Sequence, residues 1–359
     1  MRLLLITNDY LPRAGGIQQY LGNLVERYEG EVRVLAPRDK GARDDPRVRR
    51  SRWRFMWPTP RVRRWVEAQA AEFKPDFVLF GAPYPLPSLG PHLRQALGAP
   101  YGVVVHGAEL TIPAAFPVTR QLIAGPLRRA DIVFANSRWT ATAIKRSTRR
   151  EATYLGIGID LDLFHPPTGS WGAETIVGTV SRFIPRKKLD EVLTVADRLY
   201  RQGHPLRVKV VGKGRLESRL RRLAGRLQVP VDFHVDVPWS ELPSRYREMD
   251  IFVVPCRSRW LGLEQEGLGI VFLEAAASGL PVIAGHSGGA PETVLPGTTG
   301  FVVHDEPTLQ EALELLLSDP ERAASMGARG RRLMDDRYTW AAVMERLRSG
   351  MEQAVKEAR

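Results

Sequence analysis

The chain is short of several things, and each shortage removes a class of protein. One cysteine, Cys256, in 359 residues leaves no partner for an internal disulfide and fits a reducing compartment. Its longest apolar runs, such as MRLLLIT at the start, fall far below the roughly 20 residues that span a bilayer. A charged, apolar, small-residue leader is missing from the first residues, so no secretion signal is expected. H-E-x-x-H, C-x-x-C, G-x-S-x-G and the phosphate-loop G-x-x-x-x-G-K-[ST] are all absent, which leaves a zinc site, a serine-hydrolase triad and a nucleoside-triphosphatase loop without support. No metal and no resident cofactor are expected.

Acidic residues are scarce in one region. Residues 1–165 carry 25 Lys and Arg against 15 Asp and Glu, whereas 166–359 carry 27 against 25, so most of the net charge of +12 belongs to the first half. The stretch RVRRSRWRFMWPTPRVRRW, 47–65, has eight arginines, three tryptophans and no acid. Three readings stay open: a solvated basic loop, a patch for an anionic membrane surface with Arg49, Arg50, Arg52, Trp53, Arg54 and Trp57 at its centre, or a nucleic-acid contact.

What is present is a rhythm. Short continuous apolar runs at 2–7, 31–36, 76–82, 101–107, 131–137 and 152–158 alternate with amphipathic stretches, beginning with a helix over 16–28. Such strands, apolar on both faces and separated by helices, predict a parallel sheet covered on both sides. The pattern breaks at 159–174, rich in Pro, Gly and Asp, and restarts with runs at 175–181, 206–212, 231–237, 250–256, 280–285 and 300–304. The expected architecture is α/β: two Rossmann-like, doubly wound domains, 1–165 and 166–338, with a last helix near 339–359 returning to the first.

Ligands of open α/β sheets bind beyond the carboxyl ends of the strands, so chemistry is sought there. Two such sheets facing one another would form an interdomain cleft. In TNDYLPRAGGIQQY (7–20), Gly15 and Gly16 open a helix whose backbone amides suit a phosphate, although a plain structural turn reads the same way. His106 ends a strand in VVVHGAE and could donate to a sugar hydroxyl or be merely structural. SRFIPRKKLDE places Arg182, Arg186, Lys187 and Lys188 around a helix start, where cations oppose the helix dipole and an anion would justify them. In EQEGLGIVFLEAAASG, Glu266 precedes Gly267, Leu268 and Gly269, and Glu274 follows about two turns into an apolar helix. A carboxylate buried there without partners is costly, and ribose hydroxyls are natural partners. HSGGAPETV (286–294) reads as a glycine turn supporting that loop.

Together these residues resemble the retaining nucleotide-sugar glycosyltransferases of family 4, which have the GT-B fold. Glu266 and Glu274 match the family's two glutamates, which have seven residues between them. Arg182 and Lys187 match its basic pair, Gly15 and Gly16 its N-terminal glycine loop, and His106 with Gly107 its histidine after a strand. Within the family, TNDYLPRAGGIQQYLG, VPCRSR, EGLGIVFLEA and PVIAGHSGGAPETV look like the GDP-mannose-dependent phosphatidyl-myo-inositol mannosyltransferases of actinobacteria.

This resemblance implies a first domain that binds acceptor and a second that binds the nucleotide sugar. Arg182, Lys187 and the Gly16 amide would hold the diphosphate, Glu274 the ribose, and Glu266 with the amides of Gly267, Leu268 and Gly269 the mannose. His106 would stand beside the reacting sugar, and Asp9 and Gln18 near the acceptor. It implies a metal-independent front-face reaction at the cytoplasmic membrane face, acting on an inositol lipid. Another nucleotide sugar, or a polysaccharide or small-molecule acceptor, is the rival within the family. A non-catalytic nucleotide-sugar or nucleic-acid binder is the rival outside it, although no nucleic-acid partner is expected.

Overall fold

The computed structural model describes residues 1–13, 15–107, 110, 117–167, 172 and 174–358. It divides into two compact units, Met1–Ile157 with Trp340–Arg359, and Gly158–Thr339. The expected divisions at 165 and 338 lie within eight residues of these. Of the expected linker, 168–171 and 173 fall outside the described residues, as does Ala108 after the His106–Gly107 pair.

The first unit is built on seven parallel strands: β1 (Leu3–Ile6), β2 (Val32–Ala36), β3 (Val48–Arg50), β4 (Phe77–Phe80), β5 (Tyr101–Val105), β6 (Ile132–Ala135) and β7 (Thr153–Tyr154). Their spatial order is β3-β2-β1-β4-β5-β6-β7. Buried on every residue, β1, β4 and β5 read as continuous apolar runs because helices cover both faces. The helix Trp340–Ala358 closes this unit from the other end of the chain, bringing Gly350 so near Ile132 and Phe134 that a Cβ there would overlap them.

Two features depart from the sequence reading. The run at 152–158 pairs over only two residues, because Leu155 and Gly156 both turn their amides to Ala135 O and leave the ladder. The basic stretch 47–65 is not one loop: Val48–Arg50 adds an edge strand to β2, and a helix Pro60–Phe73 begins inside it, capped by Thr59. Thr59 accepts from the amide of Val62, and Pro60 occupies the first helical position, where a missing N–H costs nothing.

The second unit holds six parallel strands: β8 (Thr175–Arg182), β9 (Leu206–Lys213), β10 (Val231–His234), β11 (Ile251–Val254), β12 (Val282–Gly285) and β13 (Gly300–Val303), in the order β10-β9-β8-β11-β12-β13. In each sheet the winding reverses once, between β1 and β4 in the first and between β8 and β11 in the second. The loops after β8 and β11 therefore leave the sheet in opposite directions and open a crevice at their carboxyl ends.

Candidate functional site

That crevice in the second unit is where charge gathers. After β8 the chain passes buried Phe183 into a single 3-10 turn, Pro185–Lys187, ahead of the helix Leu189–Arg201. The turn drives two cations inward: the side chains of Arg186 and Lys187 are only 4% and 6% exposed. After β11 the loop is pinned to the turn by the amide of Arg257, which donates to Arg186 O at 2.9 Å. Arg259 and Glu264 then form an antiparallel bridge that throws Trp260 and Leu261 outward and returns the chain to Glu266.

Glu266 is held by backbone and by charge. Its amide donates to Ser287 Oγ at 3.2 Å, and its carbonyl accepts from the amide of Gly289 at 3.0 Å. At Gly288 φ is +56°, and a Cβ would lie 1.8 Å from Glu266 O, so only glycine lets the turn after β12 come so close. The turn 286–289 thus supports the Glu266 loop, as its sequence suggests. The Glu266 carboxylate receives Lys187 Nζ at 2.8 Å and Arg186 Nη1 on the same oxygen. Burial pushes this carboxyl up, but Lys187 and Arg186 outweigh it and hold the group down at about 2.

Gly267 and Leu268 are buried, and Gly269, at φ +84°, caps the helix Ile270–Ala277. Glu274 stands one turn from the end of that helix, 5% exposed and surrounded by Phe272, Leu273, Ala275, Ala276 and Ala277, all buried. Its Oε2 accepts from Tyr246 Oη at 2.7 Å. Burial pushes the Glu274 carboxyl up to about 7, the tyrosine hydrogen bond pulling weakly the other way.

The structure brings Lys187 to Glu266 but leaves Arg182 apart. Arg182 ends β8 exposed, and among the described residues its side chain has no ion pair. The second cation on Glu266 is Arg186, which the sequence reading placed among the basic residues of the helix start but left outside the basic pair Arg182 and Lys187. Tyr246 carried no signal at all, since its partner lies 28 residues further on.

In the first unit the candidate residues also follow strand ends. Asp9 follows β1 and accepts from Gln18 Nε2 at 2.8 Å across the loop. Gly15 and Gly16 are exposed at the start of the helix Gly16–Glu26. His106 follows β5, buried, with Tyr20 edge-on at 5.5 Å. Its Nε2 lies 2.9 Å from Gly81 O, which can only accept, so Nε2 carries a proton already committed to the backbone.

The arginine-tryptophan stretch sorts into two sets. Arg50 turns inward and donates to Leu11 O and Pro37 O, and Trp53 packs edge-on against Trp65 over the first core. Arg49, Arg52, Arg54 and Trp57 face outward, with Trp57 52% exposed between Phe55 and Tyr84. Among the described residues, no helix is long and apolar enough to cross a membrane, and no three His, Cys, Asp or Glu side chains are grouped to hold a metal ion.

Residues 14–163 match the family described as Glycosyltransferase Family 4, and 163–333 match Glycosyl transferases group 1. A GDP-mannose-dependent alpha-(1-6)-phosphatidylinositol monomannoside mannosyltransferase of Mycolicibacterium smegmatis is 38% identical over 98% of this chain and 99% of its own. A GDP-mannose-dependent monoacylated alpha-(1-6)-phosphatidylinositol monomannoside mannosyltransferase of Corynebacterium glutamicum is 34% identical over 96% of each. Among solved structures, sucrose-phosphate synthase from Thermosynechococcus elongatus superimposes with a TM-score of 0.82 over 99% of each chain at 21% identity, a likeness of fold alone.

Proposed function

The chain belongs to glycosyltransferase family 4, and from that membership we propose that it transfers mannose from GDP-mannose to an inositol lipid, with retention of the α configuration. The observation that carries the reading is the end-to-end 38% identity to a relative named for that donor and acceptor. The buried cation–carboxylate cluster at the second sheet's crevice supports it.

In this reading Lys187 and Arg182 bind the diphosphate. The Glu266 carboxylate and the amides of Gly267, Leu268 and Gly269 hold the mannose, and Glu274 holds the ribose. Lys187 already bears on a carboxylate oxygen at 2.8 Å, so an incoming phosphate competes for a cation whose desolvation is complete. His106 stands beside the reacting sugar, and Asp9 and Gln18 meet the acceptor. The bond from the anomeric carbon to the β-phosphate oxygen breaks while a bond to the acceptor hydroxyl oxygen forms on the same face. The hydroxyl proton passes to the departing diphosphate. Cations fixed at that oxygen stabilise the charge that develops as the bond stretches, and in this scheme they do so without a dedicated metal. The outward set Arg49, Arg52, Arg54 and Trp57 docks the first unit on the anionic cytoplasmic face of the cell membrane, where the lipid acceptor lies.

The test is product formation from GDP-, UDP- and ADP-sugars with phosphatidylinositol lipids and simple sugars as acceptors, comparing the wild type with Glu266→Gln. Mannose on an inositol lipid, lost in the variant, is expected. Transfer only from another donor, or only to a soluble acceptor, overturns the assignment while leaving the family intact. Changing Arg49, Arg52 and Arg54 to Glu should abolish sedimentation with anionic vesicles, and unchanged sedimentation would remove the patch from the scheme.

A further inference from the structure

Glu274 has a single hydrogen-bond donor among the described residues, and that donor is unusually well fixed. Tyr246 lies on the short helix Leu242–Arg247 and is fully buried. Its ring is edge-on to Phe164 at 5.7 Å and tilted against Phe252 at 5.7 Å. Burial, reinforced by the neighbouring Glu274 charge, pushes the phenol well above its ordinary range, so it stays a donor at any physiological pH. Its oxygen lies 2.7 Å from Glu274 Oε2 and 3.5 Å from Val271 O, which assigns its one proton to the carboxylate.

Three cations on the helices packed against Ile270–Ala277 are engaged elsewhere. Arg331 gives Nη1 to the carbonyls of Leu161, Phe164 and Ala277, Arg245 pairs with Glu241 and Glu248, and Arg247 meets His165. A carboxylate has about four acceptor positions, and Tyr246 fills one of them on Oε2.

We propose that Tyr246 is a positioning residue of the nucleotide-sugar site, fixing Oε2 of Glu274 so that Oε1 is presented to the vicinal hydroxyls of a ribose. The inference rests on the reading of Glu274 as the ribose-binding group and adds to it the residue that sets the carboxylate's rotamer. Without the phenol the carboxyl group is free to rotate about its terminal torsion, a broad, two-fold barrier, and the diol loses a preorganised acceptor.

The experiment measures dissociation constants of GDP, UDP and their 2′,3′-dideoxy forms for the wild type and Tyr246→Phe, with steady-state kinetics on the preferred sugar donor. Phenylalanine keeps the ring contacts to Phe164 and Phe252, and a melting curve for each protein checks that it does. The wild type should prefer the ribonucleotide to its dideoxy form by at least tenfold. The variant should lose roughly tenfold in ribonucleotide affinity and in donor KM while keeping dideoxy affinity and kcat within about twofold, the size expected for one hydrogen bond to a charged group. If Tyr246→Phe weakens ribo and dideoxy forms equally, or neither, the inference is overturned while Glu274's role stands. If the wild type does not distinguish the two forms, the ribose reading of Glu274 falls and takes the inference with it.

Discussion

Glu266 and Glu274 lie eight positions apart in one loop-and-helix segment, both shielded from water, and in opposite electrostatic states. The first is held down at about 2 and the second pushed up to about 7. Desolvation raises both. What separates them is topology: the crossover at β8 and β11 delivers Lys187 and Arg186 to Glu266, whereas Glu274, on the core-facing helix, has among the described residues a phenol as its one side-chain donor. Glu266 is a standing anion that balances two buried cations. Glu274 is an acid whose charge is unfavourable until something else donates to it. A site with one satisfied and one unsatisfied carboxylate has binding energy reserved for the ligand that completes it.

The largest effect is expected where charge balance is removed. Glu266→Gln leaves Lys187 and Arg186 buried with no anion on Nζ and Nη1, which should cost about 3–5 kcal/mol and lower the melting temperature by roughly 10 °C for a unit of this size. A nucleoside diphosphate should recover part of that loss, since it supplies the missing charge. An unchanged melting temperature would mean that the cluster does not balance as the geometry implies.

The next test reaches Glu266 through the backbone and spares Glu274. Gly288→Ala must place a Cβ 1.8 Å from Glu266 O at a φ of +56°, which should cost about 2–4 kcal/mol and displace the Glu266 loop. Donor-sugar affinity should fall while discrimination between ribose and dideoxyribose persists. Loss of that discrimination would show that the two glutamates respond as one unit.

The sequence carried the fold further than the site, for a physical reason. Strands buried on both faces announce themselves as apolar runs, so twelve of the thirteen strands among the described residues could be read, the half-buried Val231–His234 and the short Thr153–Tyr154 by the rhythm around them. The exception, Val48–Arg50, lies at a sheet edge and carries arginines, which hid it inside a basic stretch. Glu266 and Glu274 were legible as candidates because an acid beside glycines or within an apolar helix needs an explanation, and Lys187 only through the resemblance to the family's basic pair. Arg186 was not, because four basic residues in a row of seven look alike until a 3-10 turn sends two of them inward. Tyr246 could not be found from sequence, since its meaning resides in a contact between two helices.

The smallest effect is also the most diagnostic of the comparison. Glu274→Gln keeps an acceptor for Tyr246 and removes a carboxyl whose ordinary value, 4.5, is raised to about 7 on folding. A raised acid binds its proton more tightly when folded, so its stabilising contribution is complete below pH 4.5 and is lost as pH rises through 7. Glu266, lowered to about 2, runs the other way: its contribution is present above 4.5 and lost as pH falls towards 2. The wild type should therefore lose about 2 kcal/mol relative to Glu274→Gln between pH 5 and 8, read from denaturant unfolding at each pH. Saturating nucleotide should stabilise the wild type more than the variant at the upper end, because ribose hydroxyls relieve the charge that burial penalises. A stability difference that stays constant with pH would place Glu274 in the same electrostatic state as Glu266 and erase the distinction between them.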